Sequence, residues 1–435
     1  MIYLILFCAM FAQFVWSDET LTDKINGIDR NLYLNPKQGF FAGKRTKIWT
    51  AKINPNNPDK FIYSARSGVM EKVGTFYQDR KTLFSHTIDV KQRTIYKRDV
   101  ELDENLNIPE KSKLGDPEII YPEIMIFVDD ALFSRFNKDV EKTVKYILAF
   151  WNGVDLRYRA FKTPEIFLNI ARIILVEGPL PFEKNTSPSN DRNKIFDTRI
   201  LNSFGQYLYN EDRIGFKRDY DVAILMTGKD LINENYGNFT TGISYVNGAC
   251  NKSAEDYKIR AVGVIEDNGG FKGIRAGAHE LAHLLGAPHD GDEGTSLGGP
   301  GAITCLPDYG FLMSYERDNR NQFYFSSCTK QSITYYTSLA RAECLRDNPA
   351  RKMGTYKLNR ILPGKLMTLN EQCRKSGFYA PRYNDSSVCQ DLWCLERPFG
   401  KKSYQSTQAA AEGSYCGNNM YCLDGSCVSE TATDS

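Results

Sequence analysis

No cysteine occurs between Asp18 and Ala249, although the chain of 435 residues contains 11. That gap excludes a disulfide framework from the N-terminal half. An excess of charge is also lacking: 55 Lys and Arg face 53 Asp and Glu, a formal +2, which leaves no basic footprint for nucleic acid or a membrane surface. There is no Arg-Gly-Asp tripeptide and no internal repeat. Long apolar runs are missing except Ile2 to Val15, which falls short of the roughly 20 residues a spanning helix needs. Val15-Trp16-Ser17 follows, small at −3 and −1, so residues 1–17 read as a secretory signal cleaved before Asp18, with no membrane anchor.

Histidine is scarce too. Of four, three fall in His279-Glu280-Leu281-Ala282-His283-Leu284-Leu285-Gly286-Ala287-Pro288-His289, followed by Asp290, while His86 stands alone. Positions i and i+4 of a helix share a face. If 277–285 is helical, His279 and His283 can aim at one metal ion, and Gly286 can end the helix in a left-handed conformation that returns His289 as a third ligand. Three protein ligands with an open position is the arrangement of catalytic zinc, whereas structural zinc is closed by four ligands. Glu280 projects beside the open position, where it can take a proton from water and pass it to a leaving amine.

These residues resemble the metzincins, and within them the reprolysins (adamalysin and ADAMTS type), which are marked by the Asp after the third His. The resemblance implies a zinc endopeptidase and places a Met-turn at Phe311-Leu312-Met313-Ser314-Tyr315, with Met313 as an apolar floor under the metal. Ala282 stands where the family usually has Gly. The cysteine-free segment ahead of this site excludes the thiolate latency switch of family pro-segments. The resemblance further implies the pairings Cys250–Cys344 and Cys305–Cys328, where sequence alone allows three, and structural calcium at Glu123, Asp221 and Asp347.

The remaining cysteines, Cys373, Cys389, Cys394, Cys416, Cys422 and Cys427, crowd a segment too small for a sizeable core and predict a stapled module. Leu392-Trp393-Cys394 and Gly425-Ser426-Cys427 resemble the disintegrin-like module of the same enzymes; without Arg-Gly-Asp, integrin binding does not carry over. Sequons at Asn185, Asn238, Asn251 and Asn384 fit a secreted glycoprotein.

The expected fold class is α/β: an α+β metzincin catalytic domain with a mixed sheet and a zinc helix. A mostly β pro-segment precedes it and a small disulfide-rich domain follows. The expected organisation is signal 1–17, pro-segment and linker 18–117, catalytic domain 118–350, cysteine-rich disintegrin-like domain 351–428 and a tail 429–435. Arg45 to Thr50 alternates as a strand, and Arg93 to Arg98 ends in a dibasic pair suited to processing. Within 118–350, strands are expected at 121–129, 155–158, 171–176, 221–228, 241–246 and 261–265, with helices through Val140 to Trp151 and Phe196 to Leu208. In the family the strand near Thr241 to Val246 borders the cleft and pairs with substrate. Residues 401–413 read as a loop. The compact architecture most resembles tick salivary metalloproteases, which implies extracellular protein substrates of the matrix or of clotting, such as fibrinogen or fibronectin.

Overall fold

The computed structural model describes residues 20–25, 28–33, 42, 46–73, 87–88, 110–211, 219–234, 239–294, 297–316, 319–347 and 361–429. The expected signal segment, the stretch from Arg93 to Arg98, Asn238 and residues 430–435 lie outside these.

The central element is a mixed sheet of seven strands: β1 (Lys47–Asn54), β2 (Asn57–Ala65), β3 (Glu123–Val128), β4 (Asn169–Glu177), β5 (Val222–Thr227), β6 (Gly242–Ser244) and β7 (Val262–Glu266), in the spatial order β6-β7-β5-β3-β4-β1-β2. From β7 to β1 every pairing is parallel; β6 and β2 run antiparallel at the two edges. β3 and β5 are continuous apolar runs because both their faces are covered, as parallel strands require.

Helix α1 (Val140–Tyr158) and helix α3 (Ile274–Leu284) cover one face. Asp139 caps α1 by accepting from Lys142 N, and Trp151, Val154 and Tyr158, all fully buried, extend its apolar face to the end. The strand expected at Asp155 to Tyr158 is therefore the last turn of this helix. Asp155 reinforces it by pairing with Arg159 one turn on, at 2.7 Å. Helix α2 (Asp197–Tyr209) covers the other face through Ile200, Phe204 and Leu208.

The sheet extends beyond the expected 118–350 stretch, because β1 and β2 belong to the segment read as a removable leader. Residues 361–429 form a separate small core around three disulfides, Cys373–Cys394, Cys389–Cys422 and Cys416–Cys427. Within the stretch read as a loop, Tyr404–Ser406 is a short strand, held by antiparallel pairing with Trp393–Leu395. Among the described residues no helix is long and apolar enough to cross a membrane.

Candidate metal centre

The three histidines converge because a helix turn and a glycine put them there. His279 and His283 lie one turn apart on α3, and the chain reverses at Gly286, whose φ is +107°. His289 Nε2 then sits 3.1 Å from His279 Nε2 and 3.2 Å from His283 Nε2. A tetrahedral zinc with arms of about 2.0–2.1 Å sets its ligand atoms about 3.3–3.4 Å apart, so the spacing fits one ion.

The far ring nitrogens set the tautomers. His279 Nδ1 lies 3.0 Å from the Leu312 carbonyl and His283 Nδ1 2.7 Å from the Ala287 carbonyl, so each Nδ1–H donates and leaves Nε2 with its lone pair. His289 Nδ1 is 3.1 Å from the Tyr315 hydroxyl and 3.4 Å from Asp292 Oδ2. Burial, reinforced by a neighbouring imidazole, holds His279 well below its ordinary pKa and His283 down to about 3. Burial lowers His289 as well, against an opposing pull from Asp292. The donor set is therefore neutral imidazole, as a divalent ion needs.

Gly286 has no freedom to change. A Cβ there would meet Tyr336 Cβ at 2.4 Å and Cγ at 2.8 Å, in a backbone region that disfavours any side chain. Gly286→Ala is expected to cost about 1–3 kcal/mol in backbone strain and about as much again in overpacking. It should also displace His289, so both Tm and zinc retained after dialysis should fall; unchanged zinc content would show that the turn does not place the third ligand. Ala282, by contrast, is accommodated: it is fully buried and its carbonyl accepts from Ala287 N at 2.9 Å.

The Glu280 carboxyl, which stands outside the nitrogen cluster, meets the edge strand β6. Ser244 Oγ donates to its Oε2 at 2.7 Å, and a Cβ on Gly242 would lie 2.7 Å from Oε1. Burial pushes the Glu280 carboxyl up to about 8, opposed by the Ser244 hydrogen bond. Gly242 and Ser244 lie in the stretch expected as the strand bordering the cleft, but neither was singled out from sequence: they stand far upstream of Glu280 and are brought to it by the pairing of β6 with β7.

The stretch Phe311 to Tyr315, expected as a Met-turn, touches the site through the Leu312 carbonyl, which accepts from His279. Met313 is fully buried, Arg275 donates to the Leu312 and Ser314 carbonyls at 3.0 Å each, and Asp290 N donates to the Met313 carbonyl at 3.2 Å. Ser326 Oγ donates to Asp290 Oδ1 at 2.6 Å, tying the loop after His289 to the start of helix α4 (Ser327–Thr337). Cys305–Cys328 staples the same region, and Cys250–Cys344 closes the corner where the loop after β6 meets the 3-10 helix of residues 340–346.

At that corner Asp221 is buried and its Oδ2 accepts from Glu123 N at 2.9 Å. The ligand-type atoms grouped with Asp221 within 4.8 Å are the sulfurs of Cys250 and Cys344, which are oxidised and hold no cation. Asp347 stands exposed at the end of the 3-10 helix Ala340–Arg346. The sulfurs of Cys389, Cys416 and Cys427 also cluster, and each is likewise spent in a disulfide. Of the sequons, Asn185 and Asn384 are exposed and Asn251 is half-buried.

Comparison with known proteins agrees with this geometry. Residues 123–326 match the metallopeptidase family M12 (reprolysin), and residues 363–428 match the ADAMTS cysteine-rich domain 2. The latter match falls within the expected cysteine-rich disintegrin-like stretch, 351–428. A Bombyx mori protein, "A disintegrin and metalloproteinase with thrombospondin motifs like", is 38% identical over 331 residues, covering 74% of this chain and 46% of that protein. "Venom metalloproteinase 2" of Eulophus pennicornis is 32% identical over 211 residues, 47% of this chain and 48% of the relative. Human "A disintegrin and metalloproteinase with thrombospondin motifs 16" is 33% identical over 317 residues, 70% of this chain and 23% of the relative. The chain spans about half the length of the first of these relatives. With an M12 domain around the histidine site and a cysteine-rich domain behind it, the chain belongs to the reprolysin, ADAMTS-like family of metallopeptidases.

Proposed function

We propose that this chain is a secreted zinc-dependent endopeptidase of extracellular proteins. The observation that carries this reading is the convergence of three neutral Nε2 atoms beside a buried carboxylate that belongs to none of them. His279, His283 and His289 would hold the ion. Zinc in such a site supplies a Lewis acid for the scissile carbonyl and makes water a nucleophile near neutral pH.

The chain's own groups do the rest. Glu280 takes the proton from the attacking water as the new C–O bond forms, then hands it to the amide nitrogen as the C–N bond breaks, leaving a carboxylate and an amine. Burial raises the carboxyl above its ordinary value and so favours the protonated form it passes through between the two transfers. Ser244 keeps the carboxyl aimed at the edge strand. β6 ends the sheet, so an extended peptide can join it antiparallel or parallel as an eighth strand, laying its backbone beside Glu280.

Incubating the purified secreted protein with fibrinogen, fibronectin or gelatin is the test. Cleavage is expected in zinc buffer and should vanish on chelation and return with added zinc. Cleavage that survives full removal of metal would overturn the reading.

A further inference from the structure

The segment expected to be discarded on processing is built into the catalytic core. We propose that residues 46–73 stay bound after the chain is cut downstream, as a non-covalently held piece that completes the sheet. The inference concerns assembly and does not depend on the proposed activity.

The pairing is extensive. β1 lies parallel to β4 in unbroken register from Lys47 opposite Arg172 to Lys52 opposite Glu177, and β2 folds back on β1. Alternation along β1 sends successive side chains to opposite faces. Ile48 enters the core under α1, where Met70 and Val73 join it. Trp49, Ala51 and Ile53, with Phe61 and Tyr63 of β2, enter the core under α2. The segment thus fills apolar space on both sides of the sheet.

Specific contacts lock this placement. Phe61 is fully buried with its ring 5.7 Å from that of Tyr207, and Tyr63 Oη lies 2.9 Å from Tyr207 Oη. Thr46 Oγ1 donates to the Ile170 carbonyl at 2.9 Å. The Arg172 guanidinium, itself buried, stacks 4.2 Å from the centre of the Trp49 ring. Lys52 pairs with Glu177 at 2.8 Å.

Without β1, the strand Asn-Ile-Ala-Arg-Ile-Ile-Leu-Val-Glu of β4 would become a naked apolar edge, which invites pairing with other chains. Five strand spacings separate β1 from β6, about 24 Å at about 4.8 Å each, so β1 and β2 complete the fold rather than cover the cleft. With no cysteine between Asp18 and Ala249, retention has to be non-covalent.

The experiment uses the full chain with a site for a sequence-specific protease inserted between Tyr96 and Lys97. After complete cutting, verified on a denaturing gel, the protein is run on a sizing column in native buffer. Both pieces are expected to co-elute in equal amounts at the volume of the uncut monomer and to separate only under denaturing conditions. A cut Trp49→Ala, Phe61→Ala variant is expected to hold its N-terminal piece at least about 100-fold more weakly. Separation of the wild-type pieces, with the larger remaining a soluble monomer, would overturn the proposal. So would equal retention in the variant.

Discussion

Replacing Glu280 with Ala is expected to abolish peptide cleavage while leaving one zinc per chain. The loss should reach at least about 10²–10⁴-fold, the usual contribution of a positioned proton-transfer group. The reason is geometric. Glu280 lies on the helix that carries two of the ligands, yet its carboxyl is turned to Ser244 and takes no part in the nitrogen cluster. Metal affinity and proton transfer are therefore separable, and metal content measured beside turnover separates them. Loss of zinc together with activity would mean that Glu280 holds the site together rather than moving protons.

Glu280→Gln sharpens the test through pH. A carboxyl raised from its ordinary 4.5 to about 8 by burial stabilises the metal-free fold fully below about 4.5, and that contribution is lost as pH rises through about 8. Part of the stability of the chelator-treated wild type should therefore disappear between those values. In the Gln variant, which keeps a partner for Ser244 but cannot ionise, this part of the pH dependence should vanish. Melting temperatures at pH 5 and pH 8 decide it; identical slopes for the two proteins would show that Glu280 does not titrate in this range.

The second large effect is expected far from the metal, at Arg157→Ala. Arg157 lies in the last turn of α1, and its buried guanidinium reaches both Glu412 and Asp424 of the cysteine-rich domain, the latter at 2.6 Å. Removing the cation strands two carboxylates in the interface, which costs about 3–5 kcal/mol for a buried pair broken from one side. Around it the interface is held by weaker ties: Asn152 Nδ2 donates to the Ile361 carbonyl at 2.9 Å, and the Gly425 backbone packs against the Phe323 ring so closely that a Cβ would come within 2.5 Å.

The variant should lose several degrees in Tm, and its cysteine-rich domain should become sensitive to proteolysis and hydrogen exchange first. Removing the two acids as well, by Glu412→Gln and Asp424→Asn, should recover much of the loss, because the cost comes from the unpaired charges rather than from the missing contact. No recovery would assign the effect to lost packing. α1 also packs on the metal helix, with Val154 and Phe150 against Gly277, so a change in turnover on mutating Arg157 would show that the two domains are coupled through α1.

How much of this was legible in the sequence depends on the distance over which each feature is built. The metal triad was readable because it is local: one helical turn joins His279 to His283, and one left-handed glycine returns His289. The buried strands at 123–128 and 222–227 and the helices α1 and α2 were readable as apolar runs and helical periodicity. Short segments were not. Asp155 to Tyr158 alternates like a strand over four residues, but three buried side chains spaced along α1 keep it helical. Tyr404–Ser406 is polar and became a strand only through its partner.

By itself, then, the sequence determined the histidine constellation, the place of Glu280 on the same helix and the class of fold, since helical period and apolar patterning act within a few residues. The tertiary structure alone decided that Ser244 and Gly242 aim Glu280, that β1 and β2 belong to the catalytic sheet, and that Arg157 fastens the cysteine-rich domain. Those contacts join residues distant along the chain, and their energy comes from shared burial and strand pairing, which no local pattern of side chains encodes.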